Sequence, residues 1–443
     1  MKIQNIRGVG QERALPTELG LAMHDFMADL FPLCRSITGN GVRETLADVG
    51  KEIPLEIHEV PSGTQVFDWS VPLEWNIADA FIKDPSGKRL IDFQQCNLHV
   101  VSYSVPIHKK MTLADLKPHL HSLPDYPTWI PFRTSYYREN WGFCLSHKQL
   151  SELPDGVELE VCIESTLASG SLTYGECYLR GDTQDEILIS CHVCHPSLCN
   201  DNLSGLAVAT ALAKAMAKRP RRYSYRFIFI PATIGAITWM ARNEAVLQNI
   251  RHGLVITGVG DQGAITYKKS RRGDAEVDRA MQHVLRYDEP GHRVIDFFPY
   301  GYDERQYCSP AFNLPVGCLM RTPHGQYPEY HTSADNLDFV KPESLAGSYR
   351  HCLSLFDILE HNETYINQHP KGEPQLGRRG LYRDLAGQQE SKMFELSLLW
   401  VLNMSDGAHS LLDIAERAGI SFATIHKAAV LLKQHGLLQA VVF

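Results

Sequence analysis

Hydrophobic positions change their spacing several times along the chain, and each change marks a boundary. Between residues 18 and 50 apolar side chains recur at helical intervals (LGLAMHDFMADLF, then GVRETLADVG), and Gly39 and Gly41 in LCRSITGNG predict a loop between two helices. From 53 to 150 the texture turns to short alternating runs (LEIHEV, QVFDWSV, WNIADAFIKD, NLHVVSYSV) separated by Pro and Gly, which predict a small strand-rich module. Aromatic residues cluster in it at Trp69, Trp75, Trp129, Tyr136, Tyr137 and Trp141. Between 158 and 362 strand patterns alternate with helix patterns, from LEVCIEST through EILISCHV, LSGLAVATALAKAMAKR, YRFIFIPA and AEVDRAMQHVLRY to PESLAGSYRHCLSLFDILE. Such alternation predicts an α/β domain with a mixed sheet and helices on both faces. Residues 363–390 are polar and read as a linker, and 391–443 carry three helical segments, a turn at Gly419 and the strand LLQAVVF, the pattern of a winged helix. The predicted domains are therefore 1–56 with 152–362, an insertion at 57–151, the linker, and the winged helix.

Composition narrows the function classes. With 44% hydrophobic and 21% charged residues over 443 positions, neither a disordered chain nor a fibrous repeat fits. The net charge of −8 leaves no overall basic field for nucleic acid or anionic lipid. The winged-helix segment sets Lys392, Arg417, Lys427 and Lys433 against Glu395, Asp406, Asp413 and Glu416. DNA-binding modules usually show a basic face, so protein contact or dimerisation is the expectation there, rather than nucleic acid. The N-terminus lacks the apolar core of a signal peptide and nowhere do 18 apolar residues run together, so the expected location is cytoplasmic with no membrane contact. Eleven cysteines, an odd number, read as reduced thiols.

The sharpest constellation is ILISCHVCHPSLCNDNLSGLAVATALA, in which a strand ends before His192 and His195, and Asp201-Asn202 precede a helix opened by Ser204-Gly205. In open α/β sheets ligands are held beyond the carboxyl ends of strands. His192 and Asp201 read as two zinc ligands, with capping of the following helix as the alternative role of Asp201. In PHGQYPEYHTSADNLDFV, His331 can supply a third ligand, with Asp335 four residues on.

These motifs resemble the M28-type zinc exopeptidases. GVRETL, EVPSGTQVFDWSVPLEWNI, WIPFRTSYYRENWGFCLS, CHPSLCNDNLSG, GYDERQYCSP and YPEYHTSADN more closely resemble aminopeptidase-like proteins whose domain of unknown function carries an inserted small domain and a C-terminal winged helix. The resemblance implies a zinc-exopeptidase-like sheet. It also implies two zinc ions bridged by an aspartate and a Glu-Glu pair after the next strand, the first Glu being the base. Here FIFIPATIGAITW puts Ala232 and Thr233 at those positions, and Cys194 replaces the acid of the usual His-x-Asp. A further metal aspartate should lie near VITGVGDQG, where Gly258 takes the expected place and Asp261 comes three residues late. One zinc ion rather than two is therefore expected, on His192, Asp201 and His331. The resembled fold brings GYDERQYCSP near the metal, which makes Asp303 or Glu304 the candidate base and His195 or Tyr307 the oxyanion donor.

Other residues offer substrate contacts. Arg35 and Arg43 around SITGNG are candidate carboxylate clamps. Lys268, Lys269, Arg271 and Arg272 would suit an anionic group, with a plain surface loop as the alternative. Trp69 or Tyr136 of the insertion could face the metal and narrow the site to small substrates. A thiolate zinc site on Cys191, Cys194 and Cys199 competes with simple burial of those thiols. The resulting expectation is a zinc hydrolase for an amide or peptide bond in a small or short peptide-like substrate. The competing one is a non-catalytic metal- or ligand-binding protein of a polysaccharide or secondary-metabolite pathway, lacking the Glu at 232.

Overall fold

Every residue of the strands Glu186–His192 and Ser224–Ile230 is buried, as continuous apolar runs require when helices cover both faces of a sheet. The structure is a computed structural model that describes residues 16–381 and 389–441. Among these, the two strands lie at the centre of an eight-stranded mixed sheet. Its order is Glu56–Pro61, Ser171–Leu179, Ser224–Ile230, Glu186–His192, Ile250–Ile256, Val316–Met320, Thr266–Lys268 and Arg293–Ile295. The four strands from Ser224–Ile230 to Val316–Met320 run parallel to one another, so their carboxyl ends open on one edge of the sheet. Arg226, a cation within this buried layer, is compensated: its guanidinium donates to both carboxylate oxygens of Glu186 at 2.7 and 2.8 Å and also pairs with Glu176. The helix Ser204–Ala217 starts beside the same edge and is buried along most of its length.

The insertion has its own sheet and core. Arg89–Asp92, Glu74–Lys83, Glu158–Ala168 and Ile107–Thr112 form a four-stranded antiparallel sheet. It packs over Ile82, Ile91, Leu116, Phe143, Leu145 and Val161, all buried. The expected boundaries at 57 and 151 are corrected at both ends. Glu56–Pro61 is an edge strand of the large sheet, paired with Ser171–Leu179, and Glu158–Ala168 lies inside the small sheet. Alternation reports that a segment is a strand but not which sheet it joins, so LEIHEV lies in the large sheet and LEVCIEST in the small one, the reverse of the expectation. The two ends of the module meet where Ser62 N donates to Gly170 O at 2.8 Å.

These elements belong to a first unit, the described residues up to Ala275 together with Gly291–Arg350. A second unit comprises Glu276–Pro290 and the described residues from His351 onward. In it the helices Gln389–Met404, Leu411–Ala418 and Phe422–Gln434 accompany a three-stranded sheet of Asp406–Ser410, Thr364–Asn367 and Leu438–Ala440. The linker expected at 363–390 is thereby shortened. Thr364–Asn367 is the central strand, antiparallel to both others, and its alternation was hidden among polar neighbours. Residues 382–388 lie outside the described residues. The helix Glu276–Asp288 also belongs here rather than to the α/β domain. Arg279 donates to Asp413 at 2.6 Å and pairs with Glu416, and His283 Nε2 accepts from Phe422 N at 2.9 Å. No described helix is long and apolar enough to cross a membrane.

Candidate metal centre

The strand Glu186–His192 delivers His192 to the sheet edge, and the loop after it returns Asp201 to the same point. His192 Nε2 lies 2.8 Å from Asp201 Oδ1, with both side chains fully buried. From the other side His331 Nε2 lies 3.0 Å from Asp201 Oδ2. His331 is held at φ 57°, a left-handed conformation that costs a β-carbon residue about 1–2 kcal/mol and is found where surrounding contacts over-determine it. Those contacts come from the insertion: Phe132 N donates to His331 O at 2.7 Å, and Ile130 N donates to Ser333 Oγ at 2.9 Å. Asp335 does not join the donors. Its carboxylate accepts from Asn200 N at 2.5 Å and Asp201 N at 3.0 Å, which fixes the loop that presents Asp201. Burial raises its acid to about 8.

A fourth donor is His195, expected above as an oxyanion contact. Its Nε2 is 3.9 Å from Asp201 Oδ2, and the donor atoms of His192, His195 and Asp201 all lie within 4.8 Å of one another. Arg35 Nε holds the segment by donating to His195 O at 2.9 Å, so Arg35 is a buried support and not a carboxylate clamp. Burial pushes the His195 imidazole down to about 3, which keeps it neutral as a ligand must be. For Asp201, burial raises the acid, but interaction with His195 and hydrogen bonds from His192 and His331 outweigh it and hold the carboxyl well below its ordinary range. Rings close the cluster: Tyr302 stacks on His192, Tyr330 stacks on His331, and Phe132 packs edge-on against His195 and His331 at 5.3 and 5.2 Å. The aromatic that the insertion brings to the cluster is therefore Phe132, not Trp69 or Tyr136. Phe132 escaped notice because IPFR carries no periodic signal, whereas the three-residue spacing of His192 and His195 was visible.

Three imidazoles around one buried carboxylate form a zinc-type donor set. Each imidazole stands 2.8 to 3.9 Å from one of the two Asp201 oxygens, against about 3.3 Å between ligands of a tetrahedral centre, whereas the described donors that all lie within 4.8 Å of one another are His192, His195 and Asp201, with His331 outside that group. A further carboxyl points the same way. Asp303 is completely buried, neither of its oxygens has a hydrogen-bond partner, and its acid is pushed up to about 7 by burial, against the opposing pull of His192.

The remaining expected contacts lie elsewhere. Glu304 is buried but tied to Lys268 Nζ at 2.8 Å, so that carboxylate is already neutralised. Tyr307 is corrected to a core residue, fully buried with its hydroxyl 2.9 Å from Ser190 Oγ. Arg43 is engaged by Glu59 and Glu74, at 2.9 and 2.7 Å, rather than open to substrate. Arg271 and Arg272 are exposed and bonded to Asn313 at 3.1 and 2.9 Å, which serves to fix a turn. Lys268 and Lys269 are split between Glu304 and Asp296, so the four cations make no common patch. Asp261 accepts from Asn200 and Thr322 and stays out of the cluster. None of the eleven cysteines is in a disulfide, and burial pushes the Cys194 thiol up to about 12, which disfavours a thiolate.

Comparison with known proteins bears on the family and the fold. Residues 24–362 match the family model described as a domain of unknown function, DUF4910, and residues 363–440 match a winged helix-turn-helix model. A Clostridium acetobutylicum protein provisionally named for polysaccharide biosynthesis with an aminopeptidase-like domain is 53% identical over 425 residues, covering 96% of this chain and 98% of the relative. A crystal structure from the same organism, provisionally described as a peptidase, superimposes with TM-score 0.92 at 52% identity, over 97% of this chain and 98% of that one. The zinc aminopeptidase of Bacillus subtilis superimposes with TM-score 0.55 at 11% identity over 78% of this chain and 94% of its own, a likeness of fold.

Proposed function

This chain belongs to the DUF4910 family, and from the cluster's geometry we propose that it is a zinc-dependent hydrolase of an amide bond in a small substrate. The observation that carries the reading is the convergence of His192, His195 and His331 on the buried Asp201, with the unpaired carboxyl of Asp303 near enough for its charge to be felt at His192. His192, Asp201 and His331, joined by His195, would hold one ion. A bound zinc supplies Lewis acidity that polarises an amide carbonyl and acidifies water. The chain's own groups do the rest. Asp303 takes the proton of the attacking water on a carboxylate oxygen and returns it to the leaving nitrogen, a role served best by an acid whose pKa is near the working pH. Tyr302, Tyr330 and Phe132 keep the imidazoles oriented and limit solvent around them. His331 is about one-third exposed and marks the side from which substrate enters.

The relative's name makes N-acylated sugars the first compounds to assay. The test is zinc content by elemental analysis together with turnover of such amides by the wild type and Asp303→Asn. We expect about one zinc per chain in both and a loss of about 100-fold in kcat in the variant. A wild type that takes up no zinc, or a variant with unchanged kcat, would overturn the reading. One observation favours a second reading, a ligand-binding protein without turnover: Ala232 and Thr233 offer no carboxylate beyond the strand next to His192. That reading expects zinc and ligand binding with no hydrolysis of any amide tested.

A further inference from the structure

Next to the metal-type donors the sheet edge opens into a cavity of about 200 Å³ whose lining includes Trp69, Tyr136, Tyr137, Ala232, Thr233 and Ile237. Its floor is set by register. Ile230 pairs with His192 on the adjacent parallel strand, and two residues later Ala232 N donates to Cys194 Sγ at 3.3 Å. The cavity therefore begins one short step from the His192 and His195 segment. Its walls come from the insertion. Trp69 and Tyr137 keep their rings 5.4 Å apart while remaining 47% and 49% exposed, a large aromatic surface left facing solvent. Tyr137 and the neighbouring Phe67 sit at φ 61° and 54°, a left-handed conformation that bulky residues adopt only under constraint, and such positions concentrate at ligand clamps. Tyr136 packs its ring edge-on against Tyr103 at 5.3 Å, and its hydroxyl is buried without a hydrogen-bond partner among the described residues.

We propose that this cavity is a binding pocket for an uncharged apolar group of ring size, which in the amide substrate would be the acyl portion. The assignment of that portion rests on the hydrolase reading, whereas the binding of the ring does not. No charged side chain lines the cavity, and the polar side-chain groups in its lining are the Thr233 and tyrosine hydroxyls and the Trp69 indole N–H. An apolar cavity of about 150 Å³ already takes up benzene, so the space suffices for one ring or a branched aliphatic chain. A sugar ring would bury several hydroxyls without partners, at about 1–3 kcal/mol each.

The test is a 19F NMR titration with 4-fluorobenzyl alcohol, run on full-length protein both zinc-loaded and chelator-stripped. The fluorine resonance should broaden saturably in both preparations and be displaced by benzyl alcohol. Ala232→Leu, which fills the cavity, should weaken the probe at least about tenfold, and Trp69→Ala about fivefold, with zinc content unchanged in each. Trp69 is half exposed, so its variant keeps the test decisive if Ala232→Leu does not fold. Absence of binding by the wild type, or equal affinity in the wild type and Trp69→Ala, would overturn the pocket. Displacement by methyl β-glucoside as effective as by benzyl alcohol would overturn its apolar class. Loss of the zinc reading would leave the probe titration unchanged, and loss of the pocket would leave the zinc analysis unchanged, so the two failures are distinct.

Discussion

At the carboxyl end of the strand Glu186–His192 the chain places His192, His195 and, by the returning loop, Asp201, all turned to one point. At the end of Ser224–Ile230, whose Ile230 is the register partner of His192, it places Ala232 and Thr233 beside an aromatic cavity. The two ends are one strand spacing apart, about 4.8 Å. One end carries features that suit a cation: buried donors, a loop fixed by Asp335, and imidazoles stacked on Tyr302 and Tyr330. The other carries apolar side chains beside the cavity. On the hydrolase reading, holding a metal and handling a proton would be separate tasks that can be changed independently. The proton-handling group proposed above, Asp303, would then come from another element.

The strongest way to break this comparison is to remove the carboxylate on which the imidazoles converge. Asp201→Ala deletes the group that lies 2.8 Å from His192 Nε2 and 3.0 Å from His331 Nε2. Zinc retained after dialysis against a weak chelator should fall from about one per chain to under about a tenth, and amide turnover should vanish with it. Zinc retained near the wild-type level would mean that the donor set lies elsewhere. A smaller effect separates the donors from their neighbours. His195→Ala should weaken zinc about 100-fold, while Cys194→Ser, whose sulfur accepts from Ala232 N, should leave the affinity nearly unchanged. Equal losses in the two variants would return the thiol to the ligand set.

The apolar strand end can be tested by reversing its chemistry. In an Asp303→Asn background, Ala232→Glu places a carboxyl at the strand end beside His192. It should recover about tenfold of the lost kcat, within the range of general-base assistance, while abolishing binding of the fluorinated ring. The protein as a whole is expected to lose stability, because a carboxyl then lies among Trp69, Tyr136 and Ile237. Recovery of turnover without loss of ring binding would show that the cavity and position 232 are not the same place.

Legibility in the sequence followed the same division. Long periodic segments gave the large sheet and the winged helix, because burial on both faces or on one face leaves a fixed spacing of apolar residues. Sheet membership was not legible, since Glu56–Pro61 and Glu158–Ala168 carry the same alternation but join different sheets. The meeting of His192, Asp201 and His331 could be anticipated because these motif residues sit at the ends of elements and in the loops that join them. Phe132 could not, because its place against His331 arises from a contact between the insertion and a loop 199 residues away in sequence. Tyr307 and Arg43 failed for the opposite reason: a polar residue near a motif looks available until its partner is seen, here Ser190 in one case and Glu59 with Glu74 in the other.

The smallest expected effect concerns Arg43, and it matters because a clamp and a structural ion pair predict different losses. Its guanidinium donates to Glu59 at 2.9 and 3.1 Å and to Glu74 at 2.7 Å from two nitrogens. These bonds tie the helix Asn40–Glu52 to the edge strand Glu56–Pro61 and to the strand Glu74–Lys83 of the insertion. The arginine is about one-third exposed and Glu59 more so, which limits the pair with Glu59 to about 0.2–1 kcal/mol. Glu74 is less exposed and also accepts from Ser171 N at 2.8 Å, so it remains hydrogen-bonded when the arginine is gone. Arg43→Gln should therefore lower the thermal midpoint by about 1–3 °C and leave both zinc affinity and the KM for amides unchanged. A rise in KM of about tenfold with an unaltered midpoint would restore Arg43 as a substrate clamp. It would also extend the working surface from the two strand ends to the junction between the first helices and the insertion.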